Sequence, residues 1–281
     1  MNKMRNKKGI LFTVTTIFLL LAVFLLTSAY LTRNKELQRM ATLSLAGDRL
    51  SYIEDDIADN IYPELLSLNL ESIARASDVT IIFNHSNLIS SRDHRQLMLD
   101  YETFIEETYS TLNNIDIDLE GFNNSFSISP YDSTFIIDSD AIYVYTGNPT
   151  NISGITLTID VSELNTSDGS PGSTGSVNVE VNINHAGGEF SESADLDPAV
   201  ANGPFYVEFE DGTEVEVNFG SYNGQEGVLR IRASGVRANI PHLELRYDSL
   251  PEGVVIKGGN ISLASVLENI TKDSEIIIAE E

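Results

Sequence analysis

From Ile10 to Leu31 the chain runs for 22 residues without a formal charge, directly behind a basic cluster of Lys3, Arg5, Lys7 and Lys8. At about 1.5 Å of rise per residue this is roughly 33 Å of helix, enough to cross the hydrocarbon core of a bilayer. Such a segment spans a membrane, is removed as a signal, or packs as the rod of an assembly. The positive charge ahead of it directs the N-terminus to the cytoplasmic side, an asymmetry reduced by Arg33, Lys35 and Arg39 just beyond. The expected location is therefore the cell membrane, single-pass, with the C-terminal domain extracellular. A conventional signal peptide has a shorter apolar core, about 7–15 residues. Thr27-Ser28-Ala29 before Tyr30 is where such a signal would be cut.

After Thr32 the pattern turns amphipathic. Leu43, Leu50, Ile53, Ile57, Ile61, Leu65 and Leu68 recur at helical spacings, with Asp48, Arg49, Glu54, Asp55, Asp56 and Asp59 between them. This predicts a helix continuing out of the span, with Pro63 kinking it or starting a second segment near Asn60. Val79 to Phe83 is β-branched and reads as a strand or extended connection. A second helix is expected from about Ser91 to Leu112, capped by Ser90 or Ser91, with Leu97, Tyr101, Phe104, Ile105, Thr108 and Leu112 facing inward.

Beyond Asn113 the period drops from 3.6 to 2. Residues 115–119, 177–183 and 215–219 alternate strictly between apolar and polar side chains, and 229–232 and 243–247 repeat the pattern. Asp211-Gly212 between two such runs is a hairpin signal. Roughly ten short strands, each with one wet face, predict an antiparallel β-sandwich or jelly-roll. Residues 167–175, rich in Ser and Gly, read as a flexible loop or a linker between β halves. Residues 254–256 and 276–278 read as strands, and 263–270 fit either helix or strand. The fold class is thus α+β: a basic leader (1–9), a hydrophobic helix (10–31), a helical stalk (32–112) and an acidic β-sandwich domain (113–281).

The 42 acidic residues outnumber the 17 basic ones, for a net charge of −25, and the imbalance is local. Between Arg95 and Arg230 there is no Lys or Arg against 24 Asp and Glu. Such a surface repels nucleic acid and anionic headgroups, so no nucleic-acid partner is expected. The absence of cysteine excludes disulfides, thiol catalysis and Cys-based metal sites, which leaves stability to the folded core.

Chemistry-bearing patterns are sparse. Asp116-x-Asp118-x-Glu120-Gly121 resembles the first half of a calcium-binding EF-hand loop but has Ser127 where the bidentate carboxylate belongs. Asp138 with Asp140, and Asp195 with Asp197, are weak metal candidates in turns, where Asp also bonds its own backbone. Calcium is the one ion these patterns suit, and no other cofactor is expected. His85, His94, His185 and His242 form no i, i+4 pair, and no HExxH, GxSxG or P-loop pattern occurs, so no enzymatic activity is expected. Six Asn-x-Ser/Thr sequons, at Asn84, Asn123, Asn151, Asn165, Asn260 and Asn269, all lie beyond the span and are glycosylation candidates if the domain is exported.

Lys7-Lys8-Gly9 before Ile10-Leu11-Phe12-Thr13 resembles the class III signal of type IV prepilins, especially archaeal ones. The resemblance covers about residues 3–33. It implies cleavage between Gly9 and Ile10, retention of the apolar run as a helix, and homo-oligomeric packing through that helix. Val14 stands at the fifth mature position, where many bacterial members carry Glu; archaeal members often lack it. The expected function is a membrane-anchored surface protein, a pilin-like structural or adhesive subunit. The alternative is a singly anchored β-sandwich module that binds a glycan or cell-envelope polymer. An exported hydrolase, which needs two carboxylates opposed in a groove, ranks third.

Overall fold

The computed structural model describes residues 3–58, 61–88 and 93–281. Helix α1 (Lys3–Ala58) carries the apolar run and the first part of the amphipathic stripe in one continuous element, and α2 (Ile61–Leu66) contains Pro63. Two packing units emerge: residues up to Tyr52 together with Ser265–Ile270, and Ile53–Ala264 with Thr271–Glu281. In the second unit Ile53, Ile57, Ile61 and Leu66 are buried, while the acidic positions between them face outward or are partly covered.

Sixteen strands form the β domain. β1 (Leu68–Arg75) and β2 (Asp78–Leu88) come first. They are followed by α3 (His94–Thr103), a π-helical turn (Phe104–Tyr109) and a last turn, α4 (Ser110–Asn113). Next come β3 (Asp116–Glu120), β4 (Ser125–Ser129), β5 (Ser133–Ile137), β6 (Ala141–Tyr145), β7 (Ile152–Val161) and β8 (Asn165–Gly169). β9 (Val177–His185), β10 (Gly188–Leu196), β11 (Phe205–Phe209) and β12 (Glu214–Tyr222) follow. The chain closes with β13 (Gln225–Ser234), β14 (Ala238–Asp248), β15 (Val255–Ser265) and β16 (Ile270–Glu280).

Two sheets result. Sheet I has the order β1-β2-β14-β7-β9-β10; sheet II runs β16-β15-β4-β5-β6-β13-β12-β11-β8, with β3 also on β15. The pairing is antiparallel except between β7 and β9, which run parallel. That exception follows from the connection: β8 lies in sheet II, so the chain leaves sheet I after β7 and returns to it at β9.

The alternating strands turn their apolar residues into one core between the sheets. Phe83 of β2 meets Phe126 of β4 and Phe135 of β5, with ring centroids 5.8 and 4.9 Å away, and Phe126 stacks on Phe135 at 4.6 Å. Tyr131 and Tyr247 stack at 4.3 Å, and the Tyr247 hydroxyl donates to Ser133 Oγ at 3.1 Å. Buried polar groups of this kind need a partner, and the Ser133 hydroxyl is fully enclosed. The Asp211-Gly212 hairpin forms between β11 and β12 as expected: Gly212 takes φ +78°, and Asp211 Oδ1 accepts from the Thr213 amide at 3.0 Å.

Four expectations are revised. The segment 32–112 is not stalk throughout, because β1 and β2 enter sheet I, where β2 pairs with β14 over most of its length. The alternation of 68–88 is interrupted by a bulge at Leu70/Ser72, which hid it from a period-2 reading. The second helix starts at His94, with Asp93 as its cap accepting from the Gln96 amide at 3.1 Å; Ser90 and Ser91 lie outside the described residues. Its inner face is His94, Met98 and Ile105, whereas Phe104 is 47% and Leu112 77% exposed. The π turn adds a residue to the helical repeat and rotates everything after it, so a constant 3.6-residue count lands on the wrong side. Finally, 167–175 is no free loop. Ser167 to Gly169 belong to edge strand β8 on β11, and the amides of Thr174 and Gly175 donate to the Asp195 carbonyl at 2.8 and 3.0 Å. The segment 263–270, open on sequence alone, is the end of β15 and the turn into β16.

Phe135→Ala removes the ring shared by both sheets. It is expected to lower unfolding free energy by about 3–5 kcal/mol, measured by urea denaturation of the full chain.

Candidate functional site

Helix α1 is the one helix, among the described residues, that is long and apolar enough to cross a membrane. Its most apolar window has a mean hydropathy of 2.3 and is unburied. Gly9 and Ile10 lie inside its first turns. Polar groups inside the run are satisfied locally: the hydroxyls of Thr16 and Thr27 donate to the carbonyls of Phe12 and Val23 at 2.9 and 2.8 Å. Hydroxyls bonded in this way carry no free donor into lipid. Beyond the span, Leu37, Met40, Leu45 and Tyr52 are also exposed. At about 100° per residue they fall on the half of the helix opposite Leu50, Ile53 and Ile57.

The acidic candidates do not converge. Asp116, Asp118 and Glu120 are exposed on strand β3, so the half-matched calcium loop is an ordinary alternating strand, and Ser127 sits across in β4. Asp138 accepts from Asn124 Nδ2 at 3.0 Å, and Asp140 pairs with Arg232 at 3.6 Å. Asp195 accepts from Asn178 Nδ2 at 3.1 Å, and Asp197 accepts from the Ala199 amide at 2.9 Å. No group of three or more His, Asp or Glu stands ready to hold a metal among the described residues. A shallow hollow of about 460 Å³ on the outer face of β3, β15 and β16 is flanked by Asp118 and Glu120 on one side and Asp273 and Glu275 on the other. Lys257 already pairs with Glu275 at 2.7 Å, and Ser262 donates to Asp273 at 2.6 Å.

The sequons differ in access. Asn123, Asn260 and Asn269 are exposed, whereas Asn84, Asn151 and Asn165 are partly covered. A glycan attaches at the amide nitrogen. That nitrogen is engaged at Asn84, which donates to Glu71 at 2.9 Å, and at Asn165, which donates to Asp168 at 2.7 Å.

The most structured polar–aromatic surface was not singled out from sequence. On the outer face of sheet II, Tyr143 and Tyr145 of β6 lie two residues apart and therefore share a face, their rings 6.1 Å apart and within 16° of parallel. Tyr222, at the end of β12, brings a third ring to 6.0 Å from Tyr143. The Arg230 guanidinium lies over Tyr222, 5.2 Å from its centroid, and donates to Glu216 at 2.9 Å and Asn218 at 3.0 Å. Burial first, then the neighbouring Tyr222, raises the Tyr143 and Tyr145 phenols above their ordinary range, so they remain neutral hydroxyls. The Tyr-x-Tyr spacing was the available signal; Tyr222 joins them only through strand pairing.

A second unforeseen feature is a buried histidine pair. His85 on β2 and His94 on α3 approach edge to face at 6.2 Å, and His94 Nδ1 lies 3.0 Å from the Leu65 carbonyl. Neither ring nitrogen of His85 has a hydrogen-bond partner. Burial, and next His94, lower its pKa to about 4, while the Leu66 carbonyl pulls the other way.

No family model, curated protein or solved structure matches this chain.

Because His85 is held neutral in the fold and protonates near pH 6.5 when unfolded, its contribution to stability is complete above pH 6.5 and is lost as the pH falls toward 4. The full effect is roughly 3 kcal/mol. His85→Phe, which cannot titrate, should show a correspondingly smaller fall in Tm between pH 7 and pH 4 by scanning calorimetry.

Proposed function

We propose that the chain is a membrane-anchored surface protein with a pilin-like structural role, α1 acting both as anchor and as the rod along which copies pack. The observation that carries this reading is the uncovered apolar run of α1, which continues without a break into an amphipathic stretch reaching Ala58. Lipid accounts for residues 12–31. The exposed Leu37, Met40, Leu45 and Tyr52 lie beyond one bilayer thickness and are better matched by another apolar helix. Charge supports the same occupant. Arg33, Lys35 and Arg39 precede Asp48 and Asp55 on the helix, so copies displaced by roughly fifteen residues, about 22 Å, bring opposite charges together. Lys7-Lys8-Gly9 supplies the processing site that such a role needs. The β domain, coated with carboxylates, forms the solvent-facing exterior in this reading.

Mass spectrometry of protein isolated from its native membrane is expected to find Ile10 at the mature N-terminus, and Gly9→Val to retain the leader. A wild-type N-terminus at Met1 or Asn2 marks a plain anchor, and one at Tyr30 a released protein. Packing is tested separately. The chain has no cysteine, so Leu45→Cys introduces a single reporter thiol. Oxidative cross-linking in intact membranes should then yield dimers at Leu45→Cys and none at an exposed control in the β domain, Thr166→Cys. Absence of dimers at Leu45→Cys refutes helix-mediated assembly.

A further inference from the structure

We propose that the outer face of sheet II around Tyr143, Tyr145 and Tyr222 is a binding platform for a neutral glycan. Sugar rings would stack on the phenol faces, and their hydroxyls would bond to side chains in the two flanking hollows. This reading is independent of whether α1 assembles or only anchors.

Three observations carry it. First, the aromatic surface is continuous and partly exposed: Tyr143 lies 6.1 Å from Tyr145 and 6.0 Å from Tyr222. The face of an aromatic ring is electron-rich and attracts the polarised C–H groups that line one side of a pyranose. Tyrosine adds large rigid contact area at small conformational cost, with a hydroxyl at its rim. Second, the platform lies between two hollows whose polar groups both donate and accept. Beside Tyr145 is one of about 410 Å³ that includes Asp132, Thr134 and Gln225. Beside Tyr222 is one of about 170 Å³ that includes Asn202, Asn218 and Ser221. The larger falls within the roughly 300–1,000 Å³ typical of small-ligand sites. Amides, hydroxyls and carboxylates suit vicinal hydroxyls, which donate and accept together.

Third, electrostatics selects against charged alternatives. Arg230 and Arg232 are the cations on this face, and both are engaged: Arg230 by Glu216, Asn218 and the Tyr222 ring, Arg232 by Asp140 and Glu216. An anionic polymer would meet no free cation there and would be repelled by the surrounding carboxylates. A proline-rich peptide is the other ligand that uses aromatic tracks. The clusters of mixed donors and acceptors on both flanks favour the hydroxyl-rich ligand.

The test uses the full chain in lipid nanodiscs, since glycosidic detergents would compete for the platform. Cellohexaose, mannohexaose, chitohexaose and a proline-rich decapeptide are titrated calorimetrically. At least one hexasaccharide is expected to bind saturably. Tyr143→Ala and Tyr222→Ala should each weaken that binding about tenfold, with thermal unfolding close to wild type, and Tyr143→Phe, which keeps the ring, should retain it. If an alanine variant misfolds, Tyr143→Leu replaces it, keeping bulk without the aromatic face. The proposal is overturned if no hexasaccharide binds at millimolar concentration, if binding ignores the loss of the rings, or if only the peptide binds.

Discussion

With no cysteine in the chain, the two sheets are held together by buried side chains alone, and the Phe83–Phe126–Phe135 cluster is where they meet most closely. Apolar burial stabilises by roughly 25 cal/mol per Å² and has no direction of its own. What gives it direction here is the strand pleat, which sends every second residue of β2, β4, β5, β6, β13 and β14 into the same layer. The helical elements add to this layer from one end. Tyr101 of α3 meets Phe122, just ahead of β4, with ring centroids 5.7 Å apart. Glu106 accepts from the Leu119 amide of β3 at 2.9 Å, satisfying a strand donor with a helix side chain.

The outer faces obey a different constraint. A stretch from Arg95 to Arg230 without an internal cation would concentrate repulsion if it folded on itself. The topology places β13, the strand carrying Arg230 and Arg232, between β6 and β12, both of which come from that stretch. Glu216 thereby gains two guanidinium partners and Asp140 one. Partly exposed pairs of this kind contribute little energy each. Their consequence is positional: they fix Arg230 over Tyr222 and so shape the aromatic surface beside it.

Much of this was legible in the chain. The uncharged run and its basic flank identify α1, and strict alternation identifies β3, β9 and β12, because an amphipathic strand repeats every two residues whatever lies across from it. The Asp211-Gly212 turn is equally local. Less legible was whatever broke a period. The bulge in β1 disguised a strand pair as stalk, and the π turn at 104–109 exchanged Phe104 and Leu112 for His94 and Met98 on the buried side. The acidic turn pairs illustrate the opposite error: Asp138, Asp140, Asp195 and Asp197 look like metal ligands in sequence, yet each has a protein partner.

The sequence by itself determined that an apolar helix leads into an acidic, disulfide-free, β-rich domain, because length without charge, period and composition are properties of the chain read locally. Only the tertiary structure decided which strands are neighbours. Pairing order is set by which apolar faces fill the shared core, and it joins residues far apart in sequence. It brought Tyr222 beside Tyr143 and Arg230 over Tyr222, and left His85 against His94 without a hydrogen-bond partner of its own.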